Sequence, residues 1–160
     1  MANMTVSTTR PSRGVSKFWN YGLVGYTDYQ SGSTAYTVYK GAIVMMDVSD
    51  VDGYAQPLQS GITVASGDVF LGVALEEVSV TSSDTAQADQ NVELARDGVW
   101  AFAKGSLAVT DIGDLAYASD DGTITTTTTN NLWVGQIIDV DDTYVWVDIS
   151  LAAGREVAQV

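Results

Sequence analysis

From residue 40 onward, apolar and polar positions alternate in short runs separated by acidic or glycine-bearing turns. A period of two over four to eight residues marks a strand with one buried face. In "TYVWVDISL", Val145, Val147, Ile149 and Leu151 fall on one side, with Tyr144, Trp146 and Asp148 on the other. "NLWVGQIIDV" precedes it and pairs with it through Asp141 and Asp142. "NVELARDGVWAFAKG" (91–105) alternates before and after Asp97–Gly98 and predicts a hairpin. "DLAYASDDGTITTTT" (114–128) predicts another, turning at Asp120, Asp121 and Gly122. The five threonines that follow Ile124 predict an exposed or edge strand, because β-branched threonine suits the pleat and its hydroxyl suits water. "AIVMMDV" predicts a short strand, and "DVFLGVALEEVSV" (68–80) a strand broken at Gly72. "SSDTAQADQNVELA" reads as loop then strand. The pattern predicts an all-β chain.

Two segments repeat. "VFLGVALE" (69–76) and "LWVGQIID" (132–139) align residue for residue, with Phe70 over Trp133, Gly72 over Gly135 and Glu76 over Asp139. Gly41 and Gly113 stand upstream of each. Residues 40–160 therefore read as one β-domain with a weak internal duplication. A glycine inside a strand marks a bulge or the close approach of another backbone.

Before residue 40 the pattern changes. Residues 1–17 are rich in Ser and Thr, hold Pro11 and Gly14, and show no period. Residues 17–41 then concentrate seven of the fifteen aromatics: Phe18, Trp19, Tyr21, Tyr26, Tyr29, Tyr36 and Tyr39. Interfaces favour Tyr and Trp. These side chains either pack on their own body or meet a partner, and the basic arm that feeds into them favours the partner. Residues 1–39 are thus expected to form an extended basic and aromatic arm. About 26 extended residues reach roughly 85 Å, far enough to cross onto a neighbouring molecule. The strand Val99–Ala103 puts Trp100 and Phe102 opposite Val99, Ala101 and Ala103. Both faces of this strand and of the last one carry large groups. Either the sheet is covered on two sides within the domain or one face meets another subunit, and Trp100, Phe102, Tyr144 and Trp146 are the candidates for an oligomer interface.

Composition narrows the chemistry. Hydrophobic residues make up 46% of the 160, enough for a packed core. There is no histidine and no cysteine, which removes a Ser-His-Asp triad, thiolate nucleophiles and the common zinc sites. The net charge of −13 disfavours nucleic acid and anionic lipid as partners. Arg10, Arg13 and Lys17 are the only charged side chains before Asp28, so the first 27 residues carry +3. The other four bases against twenty acids leave the rest at −16. No apolar run reaches the roughly 20 residues that span a bilayer, and "MANMTVSTTRPSRG" lacks a secretory apolar stretch. Synthesis in the cytoplasm is expected. Glu76, Glu77 and Asp139 offer carboxylates, but twenty acids produce close pairs by chance. "DVSDVDG" (47–53) lacks the oxygen pattern of a calcium loop and reads as a turn. Lys40 and Lys104 read as solvated surface bases. No catalytic residue, metal or cofactor is assigned.

The second half, "DGVWAFAKGSLAVTDIGDLAYASDDGTITTTTTNNLWVGQIIDVDDTYVWVDISL", resembles the capsid decoration, or cement, proteins of tailed bacteriophages. The resemblance rests on Gly98-Val99, on Gly113 to Tyr117, on Asp120 to Ile124, on Val134-Gly135, and on the terminal "Val-x-Val-x-Ile" strand. It covers roughly residues 40–151 and does not extend to the arm. It implies a small β-barrel or β-sandwich of the tulip kind with an arm at one end. It also implies a non-enzymatic virion protein on the capsid exterior that stabilises the shell by bridging neighbouring major capsid proteins. On that reading Arg10, Arg13, Lys17, Phe18, Trp19, Tyr21, Tyr26 and Tyr29 would lie against the shell or another copy, and the body would self-associate, as a trimer in preference to a dimer. The alternative is a head-fibre or tail-associated β module whose 17–39 aromatics bind carbohydrate or another virion protein.

Overall fold

Strand-forming runs of β-branched and aromatic residues, broken by Asp and Gly, leave little room for helix. In the computed structural model, which describes residues 3–48 and 53–156, fourteen short strands and two single 3-10 turns make up the regular structure. The strands are β1 (Ser12–Arg13), β2 (Phe18–Gly22), β3 (Tyr36–Val38), β4 (Ile43–Met46), β5 (Gln56–Pro57), β6 (Val69–Ala74) and β7 (Val78–Val80). After them come β8 (Asn91–Ala95), β9 (Val99–Ala103), β10 (Leu115–Ala118), β11 (Ile124–Thr125), β12 (Leu132–Val140), β13 (Tyr144–Asp148) and β14 (Arg155–Glu156). The acidic loop 47–53 falls mostly on residues 49–52, outside the described residues.

Two large antiparallel sheets carry the fold. The first has the order β2-β8-β6-β4-β5, with β14 also beside β6; the second has the order β1-β9-β13-β12-β10-β11. A two-stranded sheet, β3-β7, lies apart. None closes into a barrel, so the architecture is all-β and sandwich-like, and the barrel alternative is set aside. The main core draws Ile43, Met45, Phe70 and Val73 from the first sheet and Trp100, Phe102, Leu132, Ile137, Val145 and Val147 from the second. A second core covers the opposite face of the first sheet with Leu23, Val24, Tyr29, Tyr36, Val38 and Val80. Every residue of β6 is therefore buried.

The two large sheets share one plan. β4 meets β6 as Val44↔Gly72 and Met45↔Phe70 across a bulge, and β10 meets β12 as Ala116↔Gly135 and Tyr117↔Trp133 across a bulge at the same step. Val73↔Ala95 in the first sheet matches Gln136↔Asp148 in the second. Phe18↔Ala95 and Trp19↔Leu94 then match Val99↔Asp148 and Trp100↔Val147. Gly72 and Gly135 both have φ of +152°. A Cβ at Gly72 would strike the Ala95 carbonyl oxygen, and one at Gly135 the Asp148 carbonyl oxygen. Both glycines thus let the neighbouring backbone approach, and β6 runs through Gly72 instead of breaking there. The break comes after Ala74, from where the chain leads into β7 and the small sheet.

Several local expectations give way to long-range pairing. Asp97–Gly98 is not a hairpin turn: β8 pairs with β2 and β6, while β9 pairs with β1 and β13. The chain crosses there from one sheet to the other. Only Thr125 of the five threonines lies in a strand. Its hydroxyl accepts the Thr127 N–H at 3.1 Å, a local bond that competes with the ladder.

The N-terminal segment lies along the body and does not stand away as an arm. Thr8 N–H donates to Lys40 O at 2.8 Å, Ala101 N–H donates to Pro11 O at 3.0 Å, and β1 pairs with β9. Residues 18–39 supply β2, β3 and the buried Tyr29 and Tyr36, so they belong to the same body as the rest. Arg10 is the staple. Its Nε donates to Gly41 O at 2.6 Å, and its guanidinium sits 4.3 Å from the centre of the Phe102 ring. Burial lowers its pKa to about 10, with Asp121 and Asp120 acting to raise it. Asp121 accepts the Met4 N–H at 2.8 Å and a Gln59 side-chain N–H at 3.1 Å. Burial nevertheless raises its pKa from 3.8 to about 6, against those two donors and with help from Asp120.

Two outcomes are expected. Gly72→Ala and Gly135→Ala each lose roughly 2–5 kcal/mol, the sum of backbone strain and overpacking. Gly113→Ala, with φ of +97° and open space around it, loses only about 1–2 kcal/mol; urea denaturation of the three variants measures the difference, and equal losses would contradict the close approach. Between pH 3.8 and about 6 the folded chain holds a proton on Asp121 that the unfolded chain has released. The contribution of Asp121 to stability therefore falls as pH rises through that window and is flat above it. In Asp121→Asn the unfolding free energy at neutral pH, relative to that near pH 4, shifts upward by roughly 1–3 kcal/mol; an unchanged pH profile would count against the burial of that carboxyl.

Candidate partner-binding surface

A strand at the end of a sheet leaves one row of N–H and C=O groups without a ladder partner. β2 ends the first sheet, and its residues Phe18, Trp19 and Asn20 are exposed. Phe18 is 52% exposed and Trp19 59%. Beside them lies an open groove of about 630 Å³ lined by Lys17, Phe18, Trp19, Arg96, Arg155 and small residues. Three of the seven basic side chains of the protein meet there, and no lining residue is acidic.

The corner at Asp97 builds this surface. Its Oδ1 accepts the Ser16 and Lys17 N–H groups at 2.8 Å each, and its Oδ2 accepts the Ser16 hydroxyl at 2.6 Å. Burial acts to raise its pKa, but the Ser16 hydroxyl and the two N–H groups outweigh that and hold the carboxyl below its ordinary range. Arg96 N–H donates to Lys17 O at 2.9 Å. Lys17 and Arg96, distant in sequence, are thereby set side by side, and Arg155 reaches the same groove from β14, the neighbour of β6.

The residues singled out in the sequence divide between surface and interior. Lys17, Phe18 and Trp19 are exposed together at the groove. Arg13 is exposed elsewhere, its guanidinium 4.8 Å from the centre of the Trp146 ring. Arg10 is taken up by the body, as described. Tyr21 and Tyr26 are partly buried against the second core. Tyr29 lies within it, 1% exposed, stacked at 3.9 Å on Tyr36, and its hydroxyl donates to Gln59 at 3.1 Å; burial raises its pKa well above the tyrosine range. Among the oligomer candidates, Trp100 and Phe102 are 5% and 1% exposed and fill the main core, so they present no interface. They share a face with Val147 and Val145, their register partners. Tyr144 and Trp146 are half-buried on the other face of the sheet, their rings edge to face at 6.1 Å. Trp146 Nε1 donates to Asp141 at 2.9 Å, and this bond, with the Tyr144 and Thr143 N–H groups, holds the Asp141 carboxyl below its ordinary range. Leu115 and Leu151, 49% and 59% exposed, line a second, more apolar groove with Trp133.

Sequence reasoning missed Arg96 and Arg155 at the first groove. Neither lies near the aromatic segment in the chain, and only the β2–β8 and β6–β14 registers bring them to it. The remaining candidate chemistry is dispersed. Glu76 accepts the Glu93 N–H at 2.9 Å and Glu77 accepts the Ser7 hydroxyl. Among the described residues, no group of three or more Asp or Glu could hold a metal ion.

No curated protein and no solved structure matches the chain. One sequence family does, described as phage cement protein, and it matches residues 54–143. That span is more than half of the chain and runs from just before β5, through the corner at Asp97, to the turn before β13. The chain belongs to the phage cement protein family.

Proposed function

We propose that this protein binds the outside of an assembled phage capsid and stabilises it by bridging neighbouring major capsid proteins. Membership of the cement family carries the reading, and that membership points to a structural, capsid-stabilising virion protein. Surface chemistry supports the bridging. A basic and aromatic groove lies at the β2 edge, and a separate apolar groove holds Leu115, Trp133 and Leu151. Two distinct surfaces let one small body touch two neighbours. A specific contact commonly buries about 1,200–2,000 Å² in total, and repetition over a lattice adds avidity to each weak contact. The net charge of −13 keeps decorated particles apart in solution. Self-association draws support from the half-buried Tyr144 and Trp146 beside the exposed apolar groove. The carbohydrate alternative loses ground, because successive residues of a strand point to opposite faces and Phe18 and Trp19 do not form one flat platform.

The test uses expanded shells prepared without this protein. Added protein is expected to coat their exterior, visible by electron microscopy, and to raise the temperature at which they rupture. Shells that stay bare at saturating protein, or coated shells that rupture at an unchanged temperature, would defeat the reading.

A further inference from the structure

In the second sheet the outer edge of β9 is covered by β1, with Ser12 opposite Trp100 and Arg13 opposite Val99. By the shared register, the residues of the first sheet that match Trp100 and Val99 are Trp19 and Phe18 of β2. Along Phe18–Tyr21 no strand covers that edge in the described chain; only at its far end does Gly22 O accept the Ala55 N–H, at 2.9 Å. The contrast shows in the side chains: Trp100 is 5% exposed and Trp19 is 59% exposed. One edge of the common plan has received a strand, and its counterpart stands open with two large aromatic rings beside it.

We infer that the open edge of β2 receives an extended, carboxylate-bearing segment of the capsid protein as an added strand, held over the groove by Lys17, Arg96 and Arg155. This rests on the capsid-binding reading above and assigns the surface that performs it. Adding a strand to an exposed edge supplies main-chain hydrogen bonds for affinity and leaves side chains to give specificity. The charge selects the occupant. Three cations line the groove without an acid among them, in a chain whose total is −13. Arg96 Nε is buried and has no hydrogen-bond partner among the described residues. That nitrogen is closed to solvent, so what an incoming carboxylate would meet from the groove is the charge of the guanidinium and not this donor. Phe18 and Trp19, on opposite faces of the edge, flank the added strand on both sides. The N-terminal segment of a second copy does not suit the site. Its charged residues, Arg10, Arg13 and Lys17, are basic, and it is already bonded to its own body at Lys40 and Ala101.

Two measurements on wild-type protein and expanded shells test this. In the first, Lys17→Glu/Arg96→Glu/Arg155→Glu is compared with wild type for shell affinity at low and moderate salt. The variant is expected to bind at least about tenfold more weakly, and wild-type affinity to fall as salt rises. Arg96→Gln/Arg155→Gln replaces it if the triple reversal melts early, with the same direction of change. In the second, amide hydrogen exchange of residues 18–22 is followed on free and shell-bound wild-type protein. Slower exchange of these amides in the bound state is expected. If wild type coats shells while the variants bind equally well, or while these amides exchange at the free rate, the strand-addition proposal falls and the capsid-binding function stands. If wild type leaves shells bare, both fall. If the variants lose self-association and keep shell binding, the edge belongs to a second copy and the proposal is overturned.

Discussion

β6 has no exposed residue, and the rest of the structure is arranged around that constraint. One face packs into the core between the two large sheets, and the other into the core under the small β3–β7 sheet. One edge pairs with β4, and the other is shared by β8 at Val73–Ala74 and β14 at Val69–Phe70. Six residues thus join three layers. A strand so placed can carry no charge and little bulk where neighbouring backbones converge, which is why Gly72 sits at its middle. The second sheet solves the same problem in β12 with Gly135, yet its outer face stays open to solvent at Gln136 and Ile138. The same plan has been completed as an interior layer in one sheet and left as a surface in the other.

The N-terminal segment ties these layers together at a cost. Burying a guanidinium and a carboxyl near each other is expensive unless hydrogen bonds compensate. Arg10 and Asp121 both show that expense, one with its pKa lowered and the other with its pKa raised by burial. The return is geometric. Arg10 links Gly41, at the threshold of β4, to Phe102 of β9, and so fastens the first sheet to the second. Arg10, which reads in the sequence as adhesive for a partner, is internal fastening, while Arg13 stays exposed beside Trp146 and the basic groove is built from Lys17 with two arginines far away in the chain.

Period-two alternation was a sound guide to where strands lie and to which residues share a face. Val145 and Val147 point together, and the alignment of Gly72 with Gly135 was visible before any geometry. Alternation says nothing of which face is inward when both carry large groups. Alternation therefore leaves Trp100 and Phe102 between a covered sheet and an oligomer interface, and their register against Val147 and Val145 places them in the core. It is equally silent on whether Asp–Gly folds a strand back or hands it to another sheet, because the deciding partners, β6 and β13, are remote. Tyr29 and Tyr36 follow no period, so their burial was not legible. The groove depends on contacts between residues 17, 96 and 155, which no local pattern encodes.

The two ends of the chain are exchanged between the sheets. β1, from the start, completes the sheet made by the second half, and β14, from the end, joins the sheet made by the first. A ribosome releasing this chain exposes β2 to β8 while the N-terminal segment still lacks β9 as its partner, and the first sheet lacks its last strand until residues 155–156 emerge. The second sheet has all its strands once β13 is made, and the first waits for β14. Each half thus holds a strand of the other, as a parcel is held when both ends of the cord are crossed, and the connection between the halves does not rest on the corner at Asp97 alone.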